Sequence, residues 1–273
     1  SFFQALNAIR KTKPMAVILM GGYISMPVAL AAKTLKIKVI IHEQNAIPGF
    51  TNRALSKIAT KVFCAFPGSL NNATVIGNPI RTEINNVLKP NKRFINRKGP
   101  LRILVIGGSL GATFFNNNLP NLFKLISKVK KISVTHQSGV KNYKSLIKNY
   151  GKVNFPLKVV KFVYDIEEKY EWADLVIARS GALTVSELSQ AGIASILVPY
   201  PFAVDNHQYL NAKILEERGA TIIVNQSEGV DKIFKVLKFF DRKKCKNMAL
   251  NAQYKLEQEP SYEIFKFCQL INK

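Results

Sequence analysis

Asp174-Leu-Val-Ile-Ala-Arg-Ser-Gly-Ala-Leu-Thr-Val-Ser-Glu-Leu188 is the stretch of sequence that decides the fold. Its apolar run, residues 175–178, has the length of a strand buried in a parallel sheet. The polar residues 179–181 interrupt this run, and from residue 182 the apolar side chains recur at the spacing of a helix that ends at Gly192. The stretch therefore predicts a strand, a tight loop and a helix, and residues 196–199 predict the next strand.

The start of this predicted helix is suited to an anion, because the first N–H groups of a helix lack partners and the helix dipole is positive there. Thr184 and Glu187 lie three positions apart and share one face of the helix. One interpretation is a capping box, in which Thr184 caps the helix and Glu187 reaches back to the cap. The other is a nucleotide site, in which phosphate binds at the helix start and Glu187 binds sugar hydroxyls.

The composition is that of a folded and strongly basic protein. Of the 273 residues 47% are hydrophobic, enough for a sizeable core in one large domain or two ordinary ones. The 40 Lys and Arg residues against 17 Asp and Glu give a formal net charge of +23. Such a charge favours nucleic acid, an anionic membrane surface or an anionic small substrate as partner, although a chain-wide bias towards Lys explains it equally. No apolar run approaches the roughly 20 residues that span a bilayer.

The cysteines and histidines predict neither a disulfide framework nor a metal site, and we expect no cofactor. They show no paired or metal-ligand spacing: Cys64, Cys245, Cys268, His42, His136 and His207. Unpaired cysteines fit a reducing cytoplasm.

Strands alternate with helices along both halves of the chain. The predicted strands are residues 16–20, 39–41, 62–66, 103–106, 134–136, 159–162, 175–178, 196–198 and 221–224. Helices are predicted between most of them, including one that runs from Asp205 as its N-cap to Arg218. This alternation predicts an α/β protein with two Rossmann-like domains, each built on a parallel sheet, that face a cleft.

We expect the domain boundary within residues 82–100, which are rich in Asn, Lys and Pro and show no strong pattern. The predicted domains are residues 1–84 and 85–258, followed by a terminal helix, 259–273, that packs back on the first domain. The chain starts at Ser1 inside a helical pattern. We therefore expect the first domain to be incomplete.

Ligands of open parallel sheets bind beyond the carboxyl ends of the strands, and several glycine-rich or polar turns are predicted there. Residues 107–111 lack the glycine spacing and the downstream acidic residue of a dinucleotide loop, and no Gly-Lys-Ser/Thr is present. They suit a diphosphate, with Ser109 as a hydroxyl donor, or form a plain strand-to-helix turn.

Residues 42–45 indicate site chemistry, with a structural, buried His42 as the alternative. Arg81 either clamps a diphosphate or is a solvated surface residue.

Six motifs in register give the chain a close resemblance to a known family. They are Gly21-Gly-Tyr-Ile-Ser-Met-Pro27, His42-Glu-Gln-Asn-Ala-Ile-Pro-Gly49 with Asn52-Arg53, Gly77-Asn-Pro-Ile-Arg81, Gly107-Gly-Ser-Leu-Gly-Ala112, Arg179-Ser-Gly-Ala-Leu-Thr-Val-Ser-Glu187, and Asp205-Asn-His-Gln208 with Asn211. Together they resemble the N-acetylglucosaminyltransferases of peptidoglycan synthesis, which act on undecaprenyl-diphospho-muramoylpentapeptide. The resemblance covers nearly the whole chain. It departs at the start, where the family has a strand and a Gly-Gly-Thr-Gly-Gly-His loop.

The resemblance implies a GT-B fold and inverting transfer of N-acetylglucosamine from UDP-N-acetylglucosamine to the C4 hydroxyl of the lipid-linked acceptor. It implies a peripheral enzyme on the cytoplasmic face of the bacterial inner membrane, attracted by anionic lipid and not by nucleic acid. The implied substrate-binding residues are Asn45, Arg81, Ser109, Val163, Ala182, Leu183, Thr184, Val185, Ser186, Glu187 and Gln208. Among them Ser109 and residues 182–187 hold the diphosphate and sugar, Glu187 the ribose hydroxyls and the backbone of Val163 the uracil. The family's His lies upstream of Ser1, so the catalytic base is unassigned, with His42 and Glu43 as candidates within the chain.

Three alternatives stay open at this point: another GT-B UDP-sugar transferase, such as one that acts on a diacylglycerol, a nucleic-acid-binding protein, and a remnant that binds nucleotide without transfer. For the second, the chain lacks a helix-turn-helix, an aromatic RNA-binding strand motif and a zinc finger. Because the family's acceptor loop is absent, we expect residues 1–273 to bind UDP-N-acetylglucosamine weakly, to aggregate and to show no measurable transfer.

Overall fold

The computed structural model describes residues 1–254 and 258–271. Contacts between residues divide the chain into two units, one of Ser1–Pro79 with Leu256–Lys273 and one of Ile80–Lys255. Each unit is built on a parallel sheet with helices between its strands, so the predicted class of two Rossmann-like α/β domains is confirmed. In the described residues no helix is both long enough and apolar enough to cross a membrane.

Strands and helices alternate as predicted, except that the two-residue strand Thr74–Val75 was not predicted and follows the strand before it without a helix between them. In the described residues the strands are β1 (Ala16–Leu19), β2 (Lys38–Glu43), β3 (Lys61–Cys64), β4 (Thr74–Val75), β5 (Leu101–Ile106), β6 (Ile132–Gln137), β7 (Leu157–Val160), β8 (Leu175–Ala178), β9 (Ser195–Leu197) and β10 (Thr221–Ile223). The α-helices are α1 (Phe2–Thr12), α2 (Ser25–Thr34), α3 (Phe50–Leu55), α4 (Pro90–Arg93), α5 (Thr113–Ile126), α6 (Tyr143–Tyr150), α7 (Ile166–Trp172), α8 (Ala182–Ala191), α9 (His207–Glu217), α10 (Gly229–Lys238), α11 (Arg242–Ala252) and α12 (Pro260–Leu270). Short 3-10 helices lie at Thr82–Asn86, Val204–Asn206 and Gln226–Glu228.

The first unit has a parallel sheet in the order β1-β2-β3-β4. Residues 39–43 of β2, in the middle of this sheet, are all buried. The terminal helix α12 packs in this unit, where Ile264 joins a buried cluster with Ile40 and Phe63. The ring of Phe267 meets that of Phe63 edge-on, at 5.9 Å between centroids. Of the aromatic residues of α12, Phe267 therefore packs against the first unit's core, whereas Tyr262 and Phe265 are exposed.

The second unit has a parallel sheet in the order β10-β9-β8-β5-β6-β7. Strand β5 pairs with β6 on one side and with β8 on the other, so the chain reverses its direction of winding between them. In such sheets the crevice for a ligand opens at this switch point, outside the carboxyl ends of the strands. The loops that follow β5 and β8 are therefore the first places to look for a site.

Residues 82–100 show no strong sequence pattern, and two of their arginines hold this segment to the rest of the second unit. Arg93 is 4% exposed and donates to the last carbonyl oxygens of α8, at Ala191 (3.1 Å) and at Gly192. Arg97 pairs with the buried carboxylate of Asp174 at 3.0 Å. A cation at the C-terminal end of a helix is favourable. Contacts of arginine side chains therefore fix the position of this segment, for which the spacing of apolar residues predicts no helix or strand.

The start of α9 differs from the prediction. Asp205 lies in a 3-10 turn with φ 51°, and α9 begins at His207 with Asn206 as its N-cap, at φ 52°. Asp and Asn enter the left-handed region more readily than most residues. Both therefore turn the chain, and the prediction of Asp205 as N-cap is wrong.

His136 gives the second unit a pH-dependent stability. Its ring is fully buried on β6, with Nδ1 2.8 Å from the Tyr150 hydroxyl, and burial lowers its pKa from 6.5 to about 3. Between these two pKa values His136 is protonated in the unfolded chain but neutral in the folded chain. Acid therefore favours unfolding. Between about pH 7 and pH 4 we expect this residue to remove roughly 3 kcal/mol of the free energy of unfolding.

Denaturant unfolding of the parent chain and of His136→Asn across this pH range measures the effect. The Asn side chain keeps an acceptor for Tyr150 but cannot titrate, so the parent should lose stability more steeply. Contributions from the other histidines cancel in the comparison. Equal slopes would contradict the assignment.

Candidate functional site

The start of α8 lies at the carboxyl end of β8, beside the switch point. Gly181 is its N-cap in an extended conformation (φ −61°, ψ 149°), and among the described residues no side chain caps the helix. The first N–H groups, at Ala182, Leu183 and Thr184, are therefore left for an anion, which the helix dipole also favours.

The capping-box interpretation of Thr184 and Glu187 is wrong. Thr184 is the third residue of α8 and not its cap. The carboxylate of Glu187 accepts a hydrogen bond from the Tyr170 hydroxyl at 2.9 Å. Glu187 thus has a partner on another helix, and the helix start stays open.

The predicted site residues of α8 differ in exposure. Val185 is buried in the core, so that only its backbone can meet a ligand, whereas Leu183 is half exposed. The others are partly buried: Ala182, Thr184, Ser186 and Glu187.

The loop after β5 and the loop after β6 approach so closely that only glycine fits between them. A Cβ atom at Gly111 would lie 2.0 Å from the carbonyl oxygen of Ser138, and one at Gly139 would lie 1.9 Å from that of Leu110. Both glycines also have positive φ, 74° and 79°. The path of the glycine-rich loop therefore requires glycine at both positions.

Side-chain amides hold these two loops together. Gln137 Nε2 donates to the carbonyl oxygen of Gly108 at 2.6 Å, and Asn116 Nδ2 donates to that of Ser138 at 2.9 Å. Ser109 is exposed in the loop that they fix. The hydroxyl of Ser109 is thereby presented at the carboxyl end of β5, the neighbour of β8.

Two groups act on the carboxyl group of Glu187: the buried phenol of Tyr170 and the charge of Arg81. Tyr170, on α7, is 1% exposed. Burial raises the pKa of the Glu187 carboxyl, while the Tyr170 hydrogen bond and the charge of Arg81 act in the opposite direction. Arg81 also donates to the carbonyl oxygen of Tyr164 at 3.4 Å. Arg81 is exposed, as the surface alternative has it, but its charge acts on Glu187, and its role as a diphosphate clamp stays a prediction.

Val163 and Gln208 lie on two further segments of the second unit, the first on a loop and the second at the start of α9. Val163 is buried between β7 and α7. The amide oxygen of Gln208, in the first turn of α9, accepts the N–H of Tyr200 at 2.9 Å. A contact from Gln208 to a ligand therefore falls to its NH₂ group.

In the first unit Glu43 organises the loop after β2. One carboxylate oxygen accepts the N–H of Asn45 at 2.9 Å and its side-chain amide at 3.3 Å. The other oxygen accepts the side-chain amide of Asn52 at 2.8 Å and the N–H of Gly49 at 3.3 Å. Glu43 thereby sets the position of Asn45, the site residue predicted in this unit.

His42 and Glu43 are both enclosed, at 0% and 2% exposure. The His42 Nε2 atom lies 2.9 Å from the carbonyl oxygen of Gly77, and burial lowers the pKa of the ring. The burial matches the structural alternative for His42, and a role of either residue as the base stays a prediction. Within residues 1–254 and 258–271, no group of three His, Cys, Asp or Glu side chains is placed to hold a metal ion.

Sequence reasoning missed Gly139 and Tyr170. Gly139 ends the run His136-Gln-Ser-Gly139, which follows an apolar strand just as residues 42–45 do, so a signal was present. Tyr170 lies in no motif, and only its tertiary contact with Glu187 marks it.

Two family profiles match the chain. That of the Glycosyltransferase family 28 C-terminal domain matches residues 102–265, and that of the N-terminal domain matches residues 1–64. A relative from Dechloromonas aromatica (strain RCB) is 40% identical over 272 residues, which are 100% of this chain and 77% of the relative. Its name is UDP-N-acetylglucosamine--N-acetylmuramyl-(pentapeptide) pyrophosphoryl-undecaprenol N-acetylglucosamine transferase. The chain belongs to glycosyltransferase family 28.

Other family 28 proteins are similar to a comparable degree. A relative of the same name from Wigglesworthia glossinidia brevipalpis is 47% identical over 257 residues, 93% of this chain and 71% of the relative. The crystal structure of MurG from Acinetobacter baumannii matches with a TM-score of 0.88 at 34% identity, over 98% of this chain and 77% of that one. The family resemblance, the GT-B fold class and the assignment as a glycosyltransferase are confirmed.

The glycine contact can be tested by adding a methyl group. Gly139→Ala should lower the free energy of unfolding by at least about 2 kcal/mol, because the left-handed conformation and the backbone clash both oppose a Cβ. It should also weaken UDP binding, since the Ser109 loop would shift. Gly99→Ala is the matched control, because Gly99 has φ 87° but its Cβ would meet no described atom within 4 Å. Denaturant unfolding and UDP titration of both variants measure the difference, and equal losses would contradict the packing argument.

The role of Glu187 can be tested by changing its charge and its reach. Glu187→Gln and Glu187→Asp should each weaken UDP binding about tenfold or more, because hydrogen bonds to a charged group contribute roughly 1.5–3 kcal/mol. Glu216→Gln, on α9, is the control and should leave the affinity unchanged. Lower thermal stability with unchanged UDP affinity in the Glu187 variants would contradict a ligand-binding role.

The raised pKa of Glu187 also predicts a pH dependence. As the pH falls through this pKa the carboxylate becomes protonated and is a weaker acceptor, so UDP affinity should fall if Glu187 binds the ribose as predicted. Glu187→Gln should lack this part of the dependence, while titration of the UDP phosphate remains in both proteins. Isothermal titration at several pH values separates the two contributions.

Proposed function

We propose that the chain transfers N-acetylglucosamine from UDP-N-acetylglucosamine to the C4 hydroxyl of undecaprenyl-diphospho-muramoylpentapeptide, with inversion at the sugar C1. The observation that carries the proposal is the open start of α8 at the switch point, with Glu187 in its second turn. This arrangement offers N–H groups to a diphosphate and a carboxylate to ribose hydroxyls. The names of the relatives support the pair of substrates.

In the proposed donor complex the Ser109 hydroxyl and the N–H groups that begin α8 bind the diphosphate. Glu187 accepts hydrogen bonds from the ribose, and the backbone of Val163 binds the uracil. The remaining donor-binding residues of the second unit are Ala182, Leu183, Thr184, Val185, Ser186, Gln208 and Arg81. Asn45 is the substrate-binding residue that we propose in the first unit.

In the transfer step the acceptor C4 oxygen attacks the anomeric carbon while a base removes its proton. The new glycosidic C–O bond forms as the bond from C1 to the phosphate oxygen breaks, and the electron pair leaves on UDP. Negative charge grows on the departing diphosphate, where the start of α8 would stabilise it. The buried side chain of His42 bonds to the carbonyl oxygen of Gly77 and that of Glu43 to the N–H of Asn45. We therefore propose that both support their loops, and the role of either one as the base stays a prediction.

We further propose that the chain acts as a peripheral protein at the cytoplasmic face of the inner membrane. The net charge of +23 supports this, since each Lys or Arg near an anionic surface contributes on the order of 1 kcal/mol. The first unit also exposes large apolar side chains: Phe3, Tyr23, Ile24 and Phe50. The product would feed cell-wall synthesis, and through it cell shape and division.

Transfer can be tested in a chimera in which this chain replaces the matching 272 residues of the Dechloromonas aromatica relative. We expect the chimera to form the lipid-linked disaccharide from UDP-N-acetylglucosamine, to release one UDP per product and to reject ADP-glucose. Glu187→Gln in the chimera should lower kcat/KM for the donor about tenfold or more, and Glu216→Gln should not.

Two results would contradict the proposal. Binding of UDP-N-acetylglucosamine and ADP-glucose with equal affinity would remove the donor assignment. Transfer to a diacylglycerol at the same rate as to the muramoylpentapeptide lipid would favour a different UDP-sugar transferase.

A further inference from the structure

Tyr170 is a buried side chain that the proposed reaction leaves without a role. It is 1% exposed on α7, and its hydroxyl donates to Glu187 Oε2 at 2.9 Å. A tyrosine hydroxyl inside a core needs a partner. Here the partner is the carboxylate to which we assign the ribose.

We propose that Tyr170 is a positioning residue that holds Glu187 for the ribose and thereby sets the preference of the site for ribonucleotides over 2′-deoxyribonucleotides. The inference rests on the proposed function of Glu187 and adds a determinant of donor specificity to it.

The carboxylate of Glu187 accepts one hydrogen bond from the protein and has acceptor capacity left for a ligand. Tyr170 occupies one acceptor position on Oε2, which leaves Oε1 and the remaining acceptor capacity of the carboxylate for the ribose. A free Glu side chain has several rotatable bonds and loses rotamer entropy when a ligand fixes it. The phenol fixes the side chain before the nucleotide arrives, so that less ordering is left for binding.

The same helix connects two parts of the proposed donor site. Helix α7 begins directly after the segment that contains Val163 and Tyr164, the segment assigned to the uracil. Tyr170 lies one turn into this helix, and Arg81 donates to the Tyr164 carbonyl oxygen at 3.4 Å. The uracil loop and the ribose carboxylate are therefore fixed to one element, which relates their positions to each other.

A neutral phenol suits this task. It donates one hydrogen bond and brings no positive charge that would compete with the ribose hydroxyls for the carboxylate. Burial and the neighbouring Glu187 charge raise the pKa of Tyr170 well above its ordinary value, so it remains a donor throughout the physiological range.

The test is the ratio of the affinities of the 273-residue chain for UDP and for 2′-deoxyuridine diphosphate, measured by calorimetry. We expect the parent chain to prefer UDP, and Tyr170→Phe to lower this preference about three- to tenfold, because a Glu187 that is no longer held keeps only part of its hydrogen bonding to the ribose. The loss should come mostly from weaker UDP binding. In the Glu187→Gln background, Tyr170→Phe should change the ratio no further.

Tyr150→Phe is the matched control. Tyr150 is equally buried in the same unit, and its hydroxyl lies 2.8 Å from His136 Nδ1. This variant also removes one buried hydroxyl and should lower stability, but it should leave the UDP preference unchanged. A structural effect common to both tyrosines is thereby separated from positioning.

A second pair of variants keeps the size of the side chain. At position 170, 4-aminophenylalanine retains a donor and should retain the preference, whereas 4-methylphenylalanine fills the volume without a donor and should lose it. This pair carries the test if Tyr170→Phe does not fold.

The outcomes distinguish the inference from the proposed function. A parent chain without preference for UDP, or a Glu187→Gln variant with unchanged UDP affinity, overturns the donor-site assignment and the inference with it. A preference that Glu187→Gln abolishes but Tyr170→Phe or 4-methylphenylalanine retains overturns the inference alone.

Discussion

Two loops of the second unit meet backbone to backbone, with Gly111 against the carbonyl of Ser138 and Gly139 against that of Leu110. A side chain at either glycine would separate the loops that follow β5 and β6. The loop that carries Ser109 would then leave its place beside β8, whose own loop leads into α8. The candidate donor site therefore depends on a contact in which no side chain takes part, and the chemistry of Ser109 and α8 follows from that packing.

Glu43 and Glu187 differ in how much of the carboxylate is hydrogen-bonded within the protein, and this difference separates a structural role from a ligand-binding one. Both oxygens of Glu43 are occupied by donors of the protein, two from Asn45 and one each from Asn52 and Gly49. Such a carboxylate holds a loop and has little capacity left for a ligand. Glu187 has one oxygen occupied by Tyr170. Its remaining capacity, together with its place behind an open helix start, is why we assign the ligand-binding role to Glu187 and not to Glu43.

The basic composition has a structural part. Arg93 donates to carbonyl oxygens at the end of α8, and Arg97 and Arg242 both reach the buried Asp174. Arg179 donates to the carbonyl oxygens of Val198 and Pro199 at 3.0 Å each. These arginines connect segments of the second unit by hydrogen bonds and ion pairs of their side chains. The net charge of +23 therefore does not by itself indicate nucleic acid, and only its exposed share bears on a membrane surface.

The sequence by itself determined the strands and helices whose pattern is local. Strand β8 and helix α8 have the predicted bounds, and α8 ends at Gly192 in the left-handed conformation, because apolar spacing and a glycine C-cap act over a few residues. The six motifs in register likewise determined the family. Only the tertiary structure decided that Glu187 pairs with Tyr170, that Gly139 faces the glycine-rich loop and that Arg93 and Arg97 anchor the segment before β5. These contacts join residues far apart in the chain, and no local periodicity encodes which distant groups meet once the strands are in order.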